Sequence, residues 1–214
     1  MLKRFADWGK MRQATRLMVV AHPDDETFCG AGRLASESGW GVISLTHRST
    51  RNRRRAYRRA TRVLGVPSLI LDLPDRKEHG VQPQDLTWIS EQLGELVNAD
   101  HVEQVMTHGP DGEYGHPLHQ ATSSVVTNLC EEQGKLWYFN FSEKSDIRAQ
   151  NPRAWELKEI AAACYLGTDD SRWDPADRCH LELGRHEAPV PASDYERPWN
   201  LISRIYAGSG MVIT

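Results

Sequence analysis

The stretch RLMVVAHPDDETFCGAGRLASESGWGVISLT, residues 16–46, decides the fold. It opens on a short β-branched run, RLMVVA at 16–21. Residues 26–38 then carry Phe28, Ala31, Leu34 and Ala35 at i, i+3, i+6 and i+7, the spacing of an amphipathic helix. Gly39 closes that helix as a C′ residue does, because glycine adopts a left-handed conformation without a Cβ clash. GVISLT at 41–46 is a second strand. Two strands joined by a helix read as one parallel crossover unit.

The alternation continues outward from this unit. A helical pattern runs from Arg51 to Leu64 and ends at Gly65, and SLILDL at 68–73 is a strand between Pro67 and Pro74. Residues 84–98 carry the stripe Leu86, Ile89, Leu93, Leu96 and Val97, and VEQVMTH at 102–108 is a fourth strand. Residues 117–133 are helical through Leu118, Thr122, Val125, Val126 and Leu129. LWYFNF at 136–141 is a fifth strand, and 152–166 a further helix. This order predicts an α/β, Rossmann-like fold, a mostly parallel sheet flanked by helices on both faces. Ligands in such folds bind outside the carboxyl ends of strands, here just after residues 21, 46, 73 and 108. Residues 167–214 are different, with Pro175, Pro189, Pro191 and Pro198 and little periodicity. They read as a loop-rich extension on a core of about 16–166, the whole of 1–214 forming one domain.

Composition narrows the class. The chain has 214 residues, 39% hydrophobic and 26% charged, which suits an ordinary globular domain. No apolar run approaches the ~20 residues of a membrane span, and the N-terminus lacks the apolar core of a signal peptide. The expectation is a cytoplasmic chain with no membrane anchor. A net charge of −3 argues against a basic nucleic-acid binder. The cysteines at 29, 130, 164 and 179 show no CxxC spacing and read as buried free thiols.

Two polar clusters stand at predicted strand ends. AHPDDE at 21–26 follows the first strand, and THGPDGEYGHPLH at 107–119 follows the fourth. Polar residues directly after a buried strand must meet solvent, each other or a cation. His116 and His119 are spaced i, i+3 at a helix start and can reach one point. Histidine nitrogens with a carboxylate oxygen suit zinc, three protein ligands leaving a fourth position open. A plainer reading makes Asp24 or Asp25 a helix N-cap and GHPLH a turn before a Pro-started helix.

AHPDDE followed by GEYGHPLH resembles the PIG-L/LmbE family of zinc-dependent N-deacetylases, over roughly residues 16–166. The family includes deacetylases of GlcNAc-phosphatidylinositol, of thiol-cofactor precursors and of antibiotics, on a Rossmann-like fold. The resemblance implies one zinc per chain, or another divalent metal, held by His22, Asp25 and His119. It implies Asp24 as the general base, His116 beside the leaving nitrogen and Tyr114 on the oxyanion. It implies a small-molecule substrate, an N-acetylated amino sugar or sugar conjugate. An amidase acting on a larger N-acyl or thiol conjugate, or a non-catalytic sugar-binding protein, is the alternative.

This sequence departs from the family pattern at three places, one being Leu166-Gly167 where Ser-Gln usually follows the helix at 158–165. The usual GHPDH reads GHPLH, with Leu118 in place of aspartate. The usual arginine with glutamate three residues on aligns with Arg53 and Ala56. Arg53 and Asp75 are the implied substrate contacts, Asp75 on a sugar hydroxyl. The rest of RNRRRAYRRATR at 51–62 reads as a solvated helix face, and Pro74-Asp75 equally as a turn. His47 and Arg48 follow the second strand at the same edge. Trp173 or Trp199 could stack on a sugar ring. Cys29 reads as packing, and His79, His101, His180 and His186 as surface or loop residues.

Overall fold

The computed structural model describes residues 8–75, 80–130, 134–142, 144–165, 184–196 and 201. Six strands form one sheet: β1 (Arg16–Val20), β2 (Trp40–Thr46), β3 (Ser68–Leu73), β4 (Gln104–Thr107), β5 (Leu136–Tyr138) and β6 (Val190–Pro191). Their order is β3-β2-β1-β4-β5-β6, parallel throughout except for the antiparallel β6. The helices are α1 (Trp8–Met11), α2 (Asp25–Ser36), α3 (Arg51–Val63), α4 (Pro83–Val97), α5 (Gly112–Gly115), α6 (Pro117–Cys130), α7 (Ile147–Gln150) and α8 (Pro152–Ala163).

Strand alternation sorts the core into two layers. Leu17, Val19 and Ala21 face α4 and α6, packing with Ile89, Leu93, Leu118 and Val126. Met18 and Val20 face the other way, toward Ala31 and Leu34 of α2, Tyr57 and Ala60 of α3, and Ala161 of α8. Helices therefore cover both faces, as the alternating pattern requires. On α3 the buried residues are Ala56, Tyr57, Ala60 and Thr61, while Arg51, Arg55, Arg58, Arg59 and Arg62 are exposed. The solvated reading of that face holds for these residues, with the half-buried Arg53 and Arg54 as exceptions.

Several details differ from the sequence pattern. α2 stops at Ser36 with Glu37 as C-cap, so Gly39, at φ 83, belongs to the turn into β2. A Cβ there would meet Thr15 Oγ1 at 2.7 Å. Leu86 is 37% exposed where α4 begins at the carboxyl edge of the sheet, so it leaves the predicted stripe. The fifth strand ends at Tyr138, and Phe141 instead pairs with Glu187 of the later segment. That segment also supplies β6, with Val190 beside Tyr138 and Pro191 beside Trp137. Proline is tolerated there because an edge strand can spare an N–H. Cys130 is buried, Cys29 and Cys164 are half-buried, and all three are free. Leu166, Gly167, Trp173, Trp199, Cys179, His79 and His180 lie outside the described residues. No helix among the described residues is long and apolar enough to cross a membrane.

The strand order positions the site. β1 has β2 on one side and β4 on the other, so crossovers leave β1 and β4 in opposite directions. The crevice this opens at their carboxyl ends is the switch point of a doubly wound sheet. AHPDDE and GPDGEYGHPLH both begin there.

Candidate active site

The loop after β1 is held by its own carboxylates. Asp25 Oδ2 accepts the His22 amide proton at 2.7 Å, and Glu26 Oε2 accepts that of Asp24 at 2.9 Å. Asp24 needs this support, because its φ of 149° costs a non-glycine residue of order 1–3 kcal/mol. Glu26 is itself completely buried, and its Oε1 accepts from the Tyr165 hydroxyl at 2.5 Å and from Thr27 at 2.7 Å. Asp24 occupies the N-cap position of α2, but its side chain makes no capping bond. Its carbonyl accepts the Thr27 and Phe28 amides instead. Its carboxylate Oδ2 accepts from the Arg53 guanidinium at 2.6 Å. The simple N-cap reading is thereby replaced.

The loop after β4 is built on Glu113. His108 directly follows β4 and is fully buried. Its Nε2 accepts the Ala21 amide proton at 3.0 Å, which places the ring proton on Nδ1. Nδ1 donates to Glu113 Oε2 at 2.8 Å, and His119 Nδ1 donates to the same oxygen at 2.7 Å. Glu113 Oε1 accepts the Gly109 amide at 2.9 Å. Glu113 reaches all three from a left-handed backbone, φ 58°, directly after Gly112 at φ 65°. A Cβ at Gly112 would sit 3.2 Å from the Gln120 backbone nitrogen, so the turn requires glycine. Pro117 starts α6, and the Leu118 amide donates to His116 Nδ1 at 3.3 Å.

With its Nδ1 committed to Glu113, His119 turns the Nε2 lone pair into the crevice. His119 Nε2 lies 3.3 Å from His22 Nδ1 and 3.4 Å from Asp25 Oδ2. His22 Nδ1 and Asp25 Oδ2 are 3.6 Å apart. A tetrahedral ion with arms of ~2.0–2.1 Å needs ligand atoms about 3.3–3.4 Å apart, so these three atoms fit one metal ion. Ligand atoms of His22, His116 and His119, and those of Asp25, His108 and His119, also lie within 4.8 Å of one another. The His116 ring is 4.8 Å from His22 and 4.6 Å from His119, and the Tyr114 ring is 5.5 Å from His119. The crevice thus gathers His22, Asp24, Asp25, Tyr114, His116 and His119.

The implied substrate contacts are drawn inward. Asp75 Oδ2 is 3.5 Å from His22 Nε2 and 3.6 Å from His47 Nε2, so it faces imidazoles. Arg53 bonds Asp24 and the Pro23 carbonyl, so its contact is the predicted base. Sequence reasoning passed over His108 and Glu113, and it did not pair Glu26 with Tyr165. For His108 a signal existed: it follows β4 as the AHPDDE cluster follows β1.

The charges are mutually dependent. Burial pulls His22 down, but Asp25 and Asp75 outweigh it and raise its pKa to about 10. This corner therefore favours positive charge, supplied by a proton or a cation. His22 and His47 hold Asp75 well below the usual carboxylate range. Burial and the Asp25 charge push Asp24 up to about 6, against the pull of Arg53. Burial, with His119 and His22 alongside, lowers His116 to about 4. Glu113 falls to about 2 despite its burial, because His108 and His119 bond its charged form.

A family model described as PIG-L, GlcNAc-PI de-N-acetylase, matches residues 17–130, more than half of the chain. The chain belongs to the PIG-L family. Its coarse chemistry is accordingly that of a deacetylase-type hydrolase. The PIG-L match spans β1 to the end of α6 and so contains both site loops. Protein L374 of Acanthamoeba polyphaga mimivirus, itself uncharacterized, is 28% identical, and the alignment covers 70% of each chain. Among solved structures, N,N'-diacetylchitobiose deacetylase from Pyrococcus horikoshii superposes with a TM-score of 0.59 at 16% identity, over 91% of this chain and 90% of that one. The pseudoaglycone deacetylase Dbv21 gives 0.54 at 14% identity, over 86% of this chain and all of the other. At these identities the likeness is one of PIG-L fold.

Proposed function

We propose that this PIG-L protein is a zinc-dependent hydrolase that removes the N-acetyl group from an amino sugar or sugar conjugate. The observation that carries this reading is the triangle of His22 Nδ1, Asp25 Oδ2 and His119 Nε2, with edges of 3.3 to 3.6 Å. These three residues would hold the metal. When bound, it supplies Lewis acidity toward the amide carbonyl and toward water. Glu113 orients His119 for this, and Asp75 does the same for His22 from the opposite ring nitrogen.

Asp24 is the proton acceptor in this reading. It does not share the Asp25 oxygen, and Arg53 holds it at the crevice. Its pKa, raised to about 6, makes it a better base than an ordinary carboxylate. The Tyr114 hydroxyl donates to the oxyanion, a contact worth roughly 3–4 kcal/mol. His116 accepts the Leu118 amide at Nδ1 and, with its pKa lowered to about 4, is a neutral imidazole whose Nε2–H hydrogen-bonds the departing nitrogen, while the proton that Asp24 took from water passes to that nitrogen.

The test is acetate release from a panel of N-acetylglucosamine conjugates by the zinc-loaded protein. Turnover by wild type, abolished in a folded His119→Ala variant, is the expected result. A folded, metal-loaded wild type that hydrolyses no acetamide in the panel would overturn the proposal.

A further inference from the structure

We infer that the cavity beside His116 is a subsite for an uncharged apolar substituent on the leaving-amine side of the substrate. The inference rests on the deacetylase reading above. The cavity has a volume of about 220 Å³, and Pro74, Val81, Pro117 and Leu118 supply its apolar walls. His116, Asp75 and Asp85 stand on its lining as well. At ~30 Å³ for each water-sized group, the space admits about seven non-hydrogen atoms, the size of an aryl ring or a short alkyl chain.

Leu118 gives the cavity its character. It replaces the aspartate of the usual GHPDH pattern and is 4% exposed, packed into the core beneath the cavity. A carboxylate at that depth would need a partner and would leave the wall polar. Leucine offers apolar surface instead, continued by Val81, which packs on the same core. The Asp75 and Asp85 carboxylates on the lining disfavour an anionic occupant.

The cavity's place relative to the reacting groups selects the side of the amide. His116, assigned to the departing nitrogen, lines it, whereas Asp24 and Arg53 do not. An occupant therefore extends from the amino-sugar half of the substrate rather than from the acyl half.

The experiment compares kcat/KM for N-acetylglucosamine, its phenyl and hexyl glycosides, and N-hexanoylglucosamine. Each buried methylene is worth about fourfold, so the glycosides should exceed the parent sugar by about tenfold or more, mainly through KM. N-hexanoylglucosamine should show no such gain. Leu118→Asp should return the glycoside-to-parent ratio toward one. Val81→Asp, at a half-buried position, makes the same test should Leu118→Asp fail to fold. A wild-type ratio near one, or a gain confined to the longer acyl chain, overturns the subsite. Should no amide be hydrolysed at all, the deacetylase reading fails separately, and calorimetry decides the cavity. Phenyl glucosaminide binding about tenfold tighter than glucosamine supports the subsite, and equal affinities overturn it.

Discussion

Glu113 carries two imidazoles on one oxygen, and both depend on its charge. Replacing it with glutamine keeps the shape but removes the charge that orients His119. Glu113→Gln is expected to weaken zinc binding by about 10- to 100-fold, measured by competition with a chromogenic chelator. Asp24→Asn acts differently, since it removes a proton acceptor and no ligand. Its kcat should fall by roughly 100- to 10,000-fold at unchanged zinc content, read by acetate assay and metal analysis together. At this scale the residues in AHPDDE and GHPLH were legible because they are bunched at strand ends, where polar side chains have few bland uses. Glu113 was not, because it has meaning only through the two imidazoles it meets, and His108, although it follows β4, gains its role only from Glu113. The same holds for Asp75: as part of a Pro-Asp pair it suggested a turn or a sugar contact, and only its distance to His22 gives it another partner.

Among the elements, the segment 184–191 is tied to α8 and to the N-cap of α7 by ion pairs and to α2 by a backbone-amide hydrogen bond. Lys158 of α8 is fully buried and donates to the Phe28 carbonyl at 2.8 Å, to the Gly184 carbonyl at 3.0 Å and to Glu187. Glu187 also accepts the Gly32 amide of α2 at 3.1 Å. Lys158→Met would strand the Glu187 charge and should cost roughly 3–5 kcal/mol in chemical denaturation. Adding Glu187→Leu should recover most of that loss. A second tie joins Arg185 to Asp146, the N-cap of α7, at 2.5 Å. The Arg185 hydrogen bond holds the Asp146 pKa down at about 2. A carboxylate with a depressed folded pKa stabilises above its unfolded value, near 3.8, and loses that stabilisation as pH falls through about 2. The stability difference between wild type and Arg185→Ala should therefore be constant above about pH 5 and shrink below pH 4, measured by denaturation at each pH. Strands β1 to β5 and helices α2, α3, α4, α6 and α8 were legible because apolar periods of 2 and 3.6 are local signals. β6 was not, since two residues with a proline carry no period, and only the edge of β5 makes them a strand.

For the molecule as a whole, the site is a junction. The loops after β1 and β4 meet at His22, Asp25 and His119, and Asp75 joins them from the end of β3. An ion bound there would link three crossovers of the sheet, so it would stabilise the folded state by mass action. Zinc at a hundred times its Kd should add about 2.7 kcal/mol, visible as a rise in Tm that a chelator reverses. His119→Ala should abolish the zinc-dependent rise while leaving a cooperative transition.

Read alone, the residues establish the α/β order, the parallel sheet and the two strand ends where chemistry gathers. They do so because burial imposes its period on each strand and helix separately. The folded chain alone decides that Arg53 meets Asp24, that Asp75 faces His22, and that one glutamate serves both His108 and His119. Those contacts join residues from different crossovers, whose meeting depends on how neighbouring strands are ordered in the sheet. A local pattern holds no record of that order, and so none of those partnerships.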